Sequence, residues 1–111
     1  MLKIEFEYKK GILFARLKGI LNEKNSYKIN NYLIPVIEKH NIKYLVYNFE
    51  YLSDIKESGI NAIINSKCIL KRNNGKLFFS NINKDLKTKI SLIKCKKIDK
   101  EYDVFKLIGD N

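Results

Sequence analysis

The sequence predicts an α/β fold in which a mixed β-sheet opens with a hairpin, continues as strand–helix–strand units and carries helices packed against it. Three observations predict it. Two strand-like stretches, Leu2 to Tyr8 and Ile12 to Leu17, flank a Lys10-Gly11 turn. From Asn25 the apolar period changes from two residues to 3.6, the spacing of a helix. Strand and helix patterns then alternate to the end of the chain, giving the order β-β-α-β-α-β-α-β-α.

The first strand, Leu2-Lys3-Ile4-Glu5-Phe6-Glu7-Tyr8, alternates apolar and polar side chains, as a strand with one buried face does. The second runs from Ile12 to Leu17, and Gly19 is expected to end it. Ile29, Tyr32, Leu33, Val36 and Ile37 then fall on one helical face. Pro35 lies inside this stretch, lacks a backbone donor, and should kink the helix or divide it in two. His40-Asn41 closes it. Lys43 to Phe49, rich in β-branched and aromatic residues, reads as a central strand. Glu50 to Glu57 reads as a loop, followed by a helix from about Ser58 whose inward positions are Ile60, Ile63, Ile64, Cys68 and Leu70. Asn73-Asn74-Gly75 stops that helix. Lys76 to Ser80 is a short strand, Lys84 to Ile90 a short helix and Leu92 to Ile98 a further strand. Tyr102, Phe105, Leu107 and Ile108 form the apolar side of a last helix. Residues 1–111 show no repeat, linker or low-complexity segment and read as one domain.

Composition narrows the function. Hydrophobic residues are 45% of the chain and charged residues 31%, a balance that supports a core. No apolar run approaches the ~20 residues of a membrane span, and Met1-Leu2-Lys3 leads directly into the first strand pattern. A cytoplasmic protein without a membrane partner is expected. Cys68 and Cys95 lie outside metal-binding spacings, and His40 is the one histidine, so no zinc ligand set can be assembled. Both thiols are expected to be reduced, one on a helix face and one on a strand, and no cofactor is expected.

The net charge of +10, from 22 Lys+Arg against 12 Asp+Glu, raises the possibility of a nucleic-acid or anionic-surface partner, with a steep salt dependence. Arginine, the better bidentate reader of bases and phosphates, occurs only at positions 16 and 72. The lysines are spread along the chain, and the tyrosines and phenylalanines read mostly as core residues rather than as a stacking platform. The charge therefore reads as a solvated coat favouring a partner with an acidic face, and no nucleic acid is expected. Catalysis is weaker still. The five glycines form no phosphate loop, nothing resembles a nucleophile elbow, and the carboxylates are scattered over positions expected to be exposed. The residues read as a binding protein, not an enzyme.

The most informative stretch is Asn41 to Ile64. Asn48-Phe49-Glu50-Tyr51-Leu52-Ser53 followed by Lys56-Glu57-Ser58-Gly59 resembles the signature of STAS-domain anti-sigma factor antagonists, in which an N-L-x-x-L-S run precedes D-S-(S/T)-G at a helix start. Leu17-Lys18-Gly19-Ile20-Leu21-Asn22 is similar to the family's L-x-G-x-L-D turn, and Asn74-Gly75-Lys76-Leu77 to its G-G-x-L entry into the next strand. The resemblance implies a STAS-like fold over nearly the whole chain and a protein partner, an anti-sigma factor with serine kinase activity. It places Ser58 at the family's phosphoacceptor position and the partner surface on Asn22, Ser53, Asp54, Lys56, Glu57, Gly59 and the following helix, including Asn61. Lys56, Glu57 and Asn22 depart from the family pattern, which has an acidic residue, a small residue and an acidic residue at those places. Alternatives are a STAS scaffold without a phosphoswitch, including one that self-associates. Independently of the family, a serine at a helix start can act as a plain N-cap, worth about 1 kcal/mol. A phosphate there would meet free N–H groups at the positive end of the helix.

Overall fold

The computed structural model describes residues 1–109. Strands β1 (Leu2–Lys9), β2 (Ile12–Leu21), β3 (Tyr44–Ile55), β4 (Lys76–Ser80) and β5 (Lys96–Ile98) form one sheet in the order β1-β2-β3-β4-β5. The β1/β2 hairpin is antiparallel and the other pairings are parallel. Lys10 and Gly11, both at positive φ, make its two-residue turn, as the sequence predicts. Parallel neighbours need crossovers, and helices α1 (Ile34–Lys39), α2 (Glu57–Arg72) and α3 (Lys84–Ile90) provide them.

The period-two alternation sorts each strand between two layers. Leu13, Ala15 and Leu17 of β2, Leu45, Tyr47 and Phe49 of β3, and Leu77 and Phe79 of β4 join Ile37, Ile63, Leu70 and Leu86 in the main core. The intervening residues Ile12, Phe14, Val46 and Phe78 face the other way and are capped by Val104 of α4 (Val104–Ile108). Beyond that small cluster the second face is polar. Arg16 donates from Nε to Glu101 at 2.7 Å and from Nη2 to the other oxygen of the same carboxylate at 2.9 Å, and Asn48 Nδ2 donates to Glu101 at 2.7 Å. Glu7 accepts from Arg16 and from the Tyr102 hydroxyl. This bidentate pairing clamps the 3-10 turn Glu101–Asp103, and with it α4, to the sheet. The carboxylates are therefore not all scattered over exposed positions: Glu101 is largely enclosed by this network.

Several expectations are corrected. The Glu50–Glu57 stretch is not a loop, because β3 continues to Ile55 with Leu52 and Ile55 buried. Its partner β2 likewise passes through Gly19 to Leu21. Gly19 permits this by adopting φ +106°, and a Cβ there would stand 2.1 Å from the Met1 carbonyl oxygen. The helix after Asn25 is two pieces, as expected from Pro35: a π-helical stretch Lys28–Leu33, closed by the Ile34 N–H donating to the Ile29 carbonyl, and then α1 with Pro35 in its first turn. The wider π turn shifts the helical phase. Ile29, Leu33 and Ile37 stay buried, while Tyr32 and Val36 turn outward. On α2, Ile63 and Leu70 are buried but Cys68 is exposed, its place in the core being taken by Ala62 and Ser66. β5 is only three residues long, so Cys95 precedes it rather than lying on it. On the last helix the buried residue is Val104, with Leu107 exposed. Phe6, Tyr8, Tyr27, Tyr32, Tyr51 and Tyr102 are also exposed, so the aromatic residues are less uniformly internal than expected.

Candidate functional site

The segments singled out by the sequence meet at one end of the sheet, where β2 and β3 finish and α2 begins. Leu21 pairs with Ile55 at the last rung, and the Lys56 N–H donates to the Leu21 carbonyl at 2.8 Å. The chain leaving β2 is laced into a compact turn by asparagines. The Asn22 N–H donates to Asn25 Oδ1 at 2.8 Å, Asn22 Oδ1 accepts from the Lys24 N–H at 3.0 Å, and Asn25 Nδ2 donates to the Ile20 carbonyl at 2.8 Å. Such side-chain-to-backbone bonds replace ladder bonds where a strand ends. Ser53, exposed near the end of β3, donates from Oγ to the Gly19 carbonyl at 2.9 Å.

Asp54 is the electrostatic centre of this end. Its carboxylate accepts from Lys56 at 3.0 Å and from Lys89 of α3, and one oxygen also accepts from the Ile55 N–H at 2.8 Å. The bond from Lys89, then that from Lys56, hold the carboxyl well below the usual carboxylate range. Lys56 is thus tied to a neighbouring carboxylate, and the ion cluster fastens α3 to the end of β3.

α2 begins at Glu57, one residue earlier than expected. Its N-cap is Lys56, which supplies no side-chain cap, and Glu57 places a negative charge in the first turn, where the helix dipole favours it. Ser58 is therefore the second helical residue and not the cap. It is half-buried, and its Oγ is enclosed without a hydrogen-bond partner. Gly59 is buried against β2 and β3: a Cβ there would come within 2.5 Å of Leu21 Cγ and 3.1 Å of Ile55 Cγ1. The glycine lets the first turn of α2 sit directly on the last rung of the sheet. Asn61 is exposed one turn further on.

Asn22, Ser53, Asp54, Lys56, Glu57, Ser58, Gly59 and Asn61 therefore lie along one continuous edge made by a turn, two strand ends and a helix start. Two contributors escaped the sequence reading. Lys89 is 35 residues from Asp54, and no local pattern marks it. Asn25, buried and central to the turn, reads in the sequence only as the point where helical periodicity begins.

A mixed five-stranded sheet in this order, with helices packed on its main face, defines a class of α/β domain. The family model of the STAS domain matches residues 3–108, and the chain belongs to that family. Its fold is similar to that of the anti-sigma factor antagonist SpoIIAA in its unphosphorylated form, with a TM-score of 0.79 at 18% identity, covering 99% of this chain and 100% of that one. SpoIIAA, the Bacillus cell fate determinant, in its phosphorylated form gives 0.76 at 17% identity, covering 98% and 100%. An anti-sigma factor antagonist from Mycobacterium paratuberculosis gives 0.78 at 11% identity, covering 99% and 96%. Among the described residues, no helix is long and apolar enough to cross a membrane.

Proposed function

We propose that this chain is a non-enzymatic regulator of the anti-sigma factor antagonist type, which binds a protein partner through the edge formed by the Asn22 turn, Ser53 to Glu57 and the start of α2. The observation that carries the reading is the convergence of those three segments, with Ser58 in the first turn of a 16-residue helix. Family membership and the names of the similar structures support it, and SpoIIAA is known in phosphorylated and unphosphorylated forms. The partner is an anti-sigma factor with serine kinase activity, and Ser58 is the phosphoacceptor.

The chemistry suits a switch. Transfer of the γ-phosphoryl group of ATP to Ser58 Oγ releases ADP and a proton and adds about −1.5 to −2 charges to the docking edge. The free N–H groups of the first turn and the nearby Lys56 would stabilise that phosphate locally. A partner already packed against Glu57 and Asn61 would meet new negative charge and a larger group. The complex would weaken while the fold persisted.

The experiment is intact-mass measurement after incubation with ATP and the anti-sigma kinases of the host, beside Ser58→Ala. One added phosphate on the wild type and none on the variant is the expected result. Phosphate on neither, with the kinase bound to both, would overturn the switch.

One observation favours a second reading, a STAS interaction module without a phosphoswitch. The Ser58 hydroxyl oxygen is enclosed, so phosphorylation requires the first turn of α2 to open. In that version Lys56 and Glu57 serve partner recognition alone, and reversing both charges abolishes binding whether or not ATP is present.

A further inference from the structure

The face of the sheet away from α2 carries a second feature, at the end remote from Ser58. Its small apolar cluster is covered by α4, whose start is fixed by buried Val104 and by the clamp of Arg16 and Asn48 on Glu101. From there α4 reaches the starts of the strands. Its last residues, Leu107 and Ile108, line a recess of about 330 Å³ together with Tyr44, the first residue of β3, and with Phe78. Leu107 remains 51% exposed, although the packed floor of the sheet lies beside it.

Lysines stand around that leucine. Lys76 is in register with Tyr44 and Lys96 with Phe78, and both line the recess with Leu107. Lys106 precedes Leu107 and is exposed. Lys10, in the hairpin turn, holds its Nζ 5.4 Å from the ring centroid of Phe105 on the same helix. Among the described residues none of these four has an ion-pair partner, whereas Lys3, Lys18, Lys56 and Lys89 elsewhere each do. The segments that make this end of the molecule, 8–11, 38–44, 70–76, 91–96 and 105–108, contain one carboxylate between them, Glu38. A single exposed leucine means little by itself. One held on a fixed helix among unpaired cations, with half-buried Phe105 and Ile108 beside it, makes a patch with an apolar centre and a positive rim.

We propose that this patch is a docking surface for an anionic lipid bilayer, with Leu107 entering the interface and Lys10, Lys76, Lys96 and Lys106 set against the headgroups. A bilayer answers both halves of the patch. Its acyl boundary takes up the leucine, and its headgroups attract the lysines, each strengthening binding about fivefold. Lysine stems lie along apolar surface while their ammonium groups stay among polar atoms, which suits this arrangement. Duplex DNA would meet the charges but leave Leu107 unused, and the patch holds no arginine to read base edges. The occupant is a surface rather than one enclosed lipid, because Lys10 and Lys106 stand outside the lining of the recess. Such a contact needs no membrane-spanning helix. It leaves the Ser58 edge, at the other end of the sheet, free for a protein partner, and does not depend on that partner.

The test is co-sedimentation of the whole chain with vesicles of phosphatidylcholine alone and of phosphatidylcholine with phosphatidylserine at about two to one, in about 0.1 M salt. Circular dichroism confirms that each variant is folded. Wild type should bind the anionic vesicles at least about tenfold more tightly than the neutral ones. Lys76→Gln/Lys96→Gln should weaken that binding about tenfold or more, while Lys24→Gln/Lys84→Gln, which removes the same charge elsewhere, should weaken it less than about threefold. The chain contains no tryptophan, so Leu107→Trp supplies a direct reporter, and its emission should move to the blue when anionic vesicles are added. No binding, equal binding to both vesicles, equal weakening by the two double variants, or unshifted emission from bound Leu107→Trp would each overturn the proposal. Duplex DNA stripping the chain from the vesicles, with both double variants affected alike, would overturn it in favour of a diffuse charge contact.

Discussion

The two ends of the sheet handle charge in opposite ways. Where β2 and β3 finish, Asp54 sits between Lys56 and Lys89, and its carboxylate accepts from two ammonium groups and a backbone N–H. Where β4 and β5 begin, Lys71, Lys76, Lys94 and Lys96 have no ion-pair partner among the described residues, and Lys67 donates instead to the Lys94 carbonyl. Matched charges position elements: they fix α3 against β3 and set the course of the chain into α2. Unmatched charges fix little and leave a positive field at that end. Total charge could not reveal this, since +10 is the same however it is arranged.

Each end also depends on one glycine, and the sharpest way to separate them is to fill those spaces. At the lysine end, a Cβ on Gly75 meets a backbone carbonyl oxygen, which cannot move without breaking the β3/β4 entry. Gly75→Ala should cost about 3 kcal/mol in urea denaturation. At the Ser58 end, a Cβ on Gly59 meets the side chains of Leu21 and Ile55, which can shift. Gly59→Ala should cost about 1–2 kcal/mol. The reverse order would mean that α2 rests on the sheet more rigidly than β4 does on Lys43.

The matched end should show itself in pH dependence. Lys89 and Lys56 depress the Asp54 carboxyl in the folded protein. A depressed carboxyl contributes stability that is fully present above its unfolded value of about 3.9 and is lost as pH falls toward the folded value. The stability difference between wild type and Asp54→Asn should therefore be constant near about pH 6 and shrink below about pH 4. A difference that stayed constant into strong acid would mean that the two lysines do not hold the carboxylate in solution.

The smallest effect belongs to the unmatched end. Removing two like charges from that end in Lys71→Gln/Lys94→Gln should stabilise the free protein by about 0.5 kcal/mol at low salt, and the gain should vanish near 1 M salt, where the screening length falls to about 3 Å. Melting curves at the two salt concentrations measure it. A gain that persisted in high salt would point to packing rather than repulsion.

Which parts of this were legible in the sequence follows from the range of the interactions. The hairpin, Lys76 to Ser80 and Lys84 to Ile90 rest on local alternation and turn residues, and these elements are found where the pattern places them. Pro35 marked the divided helix, but the π turn that rotates Tyr32 and Val36 outward comes from packing of Ile29, Leu33 and Ile37 against the sheet, which no window of sequence contains. The 50–55 stretch looked like a loop because Glu50, Ser53 and Asp54 are poor strand residues. Pairing with β2 overrides that propensity. At the candidate site, the Ser58–Gly59 motif was readable. The enclosure of Ser58 Oγ and the reach of Lys89 to Asp54 depend on contacts between distant segments and were not. The gathering of unpaired lysines at the opposite end is hidden for the same reason, because they lie on α2, β4 and the approach to β5.

We propose that the Ser58 end, and not the opposite end of the sheet, meets the protein partner. Hydrogen exchange of the chain, alone and mixed with an anti-sigma kinase of its host, tests that most directly. Slowed exchange at residues 22–25 and 53–62, with residues 94–97 unchanged, is the predicted result. Slowed exchange confined to 67–76 and 94–97 would contradict it and make the opposite end of the sheet the partner-binding surface.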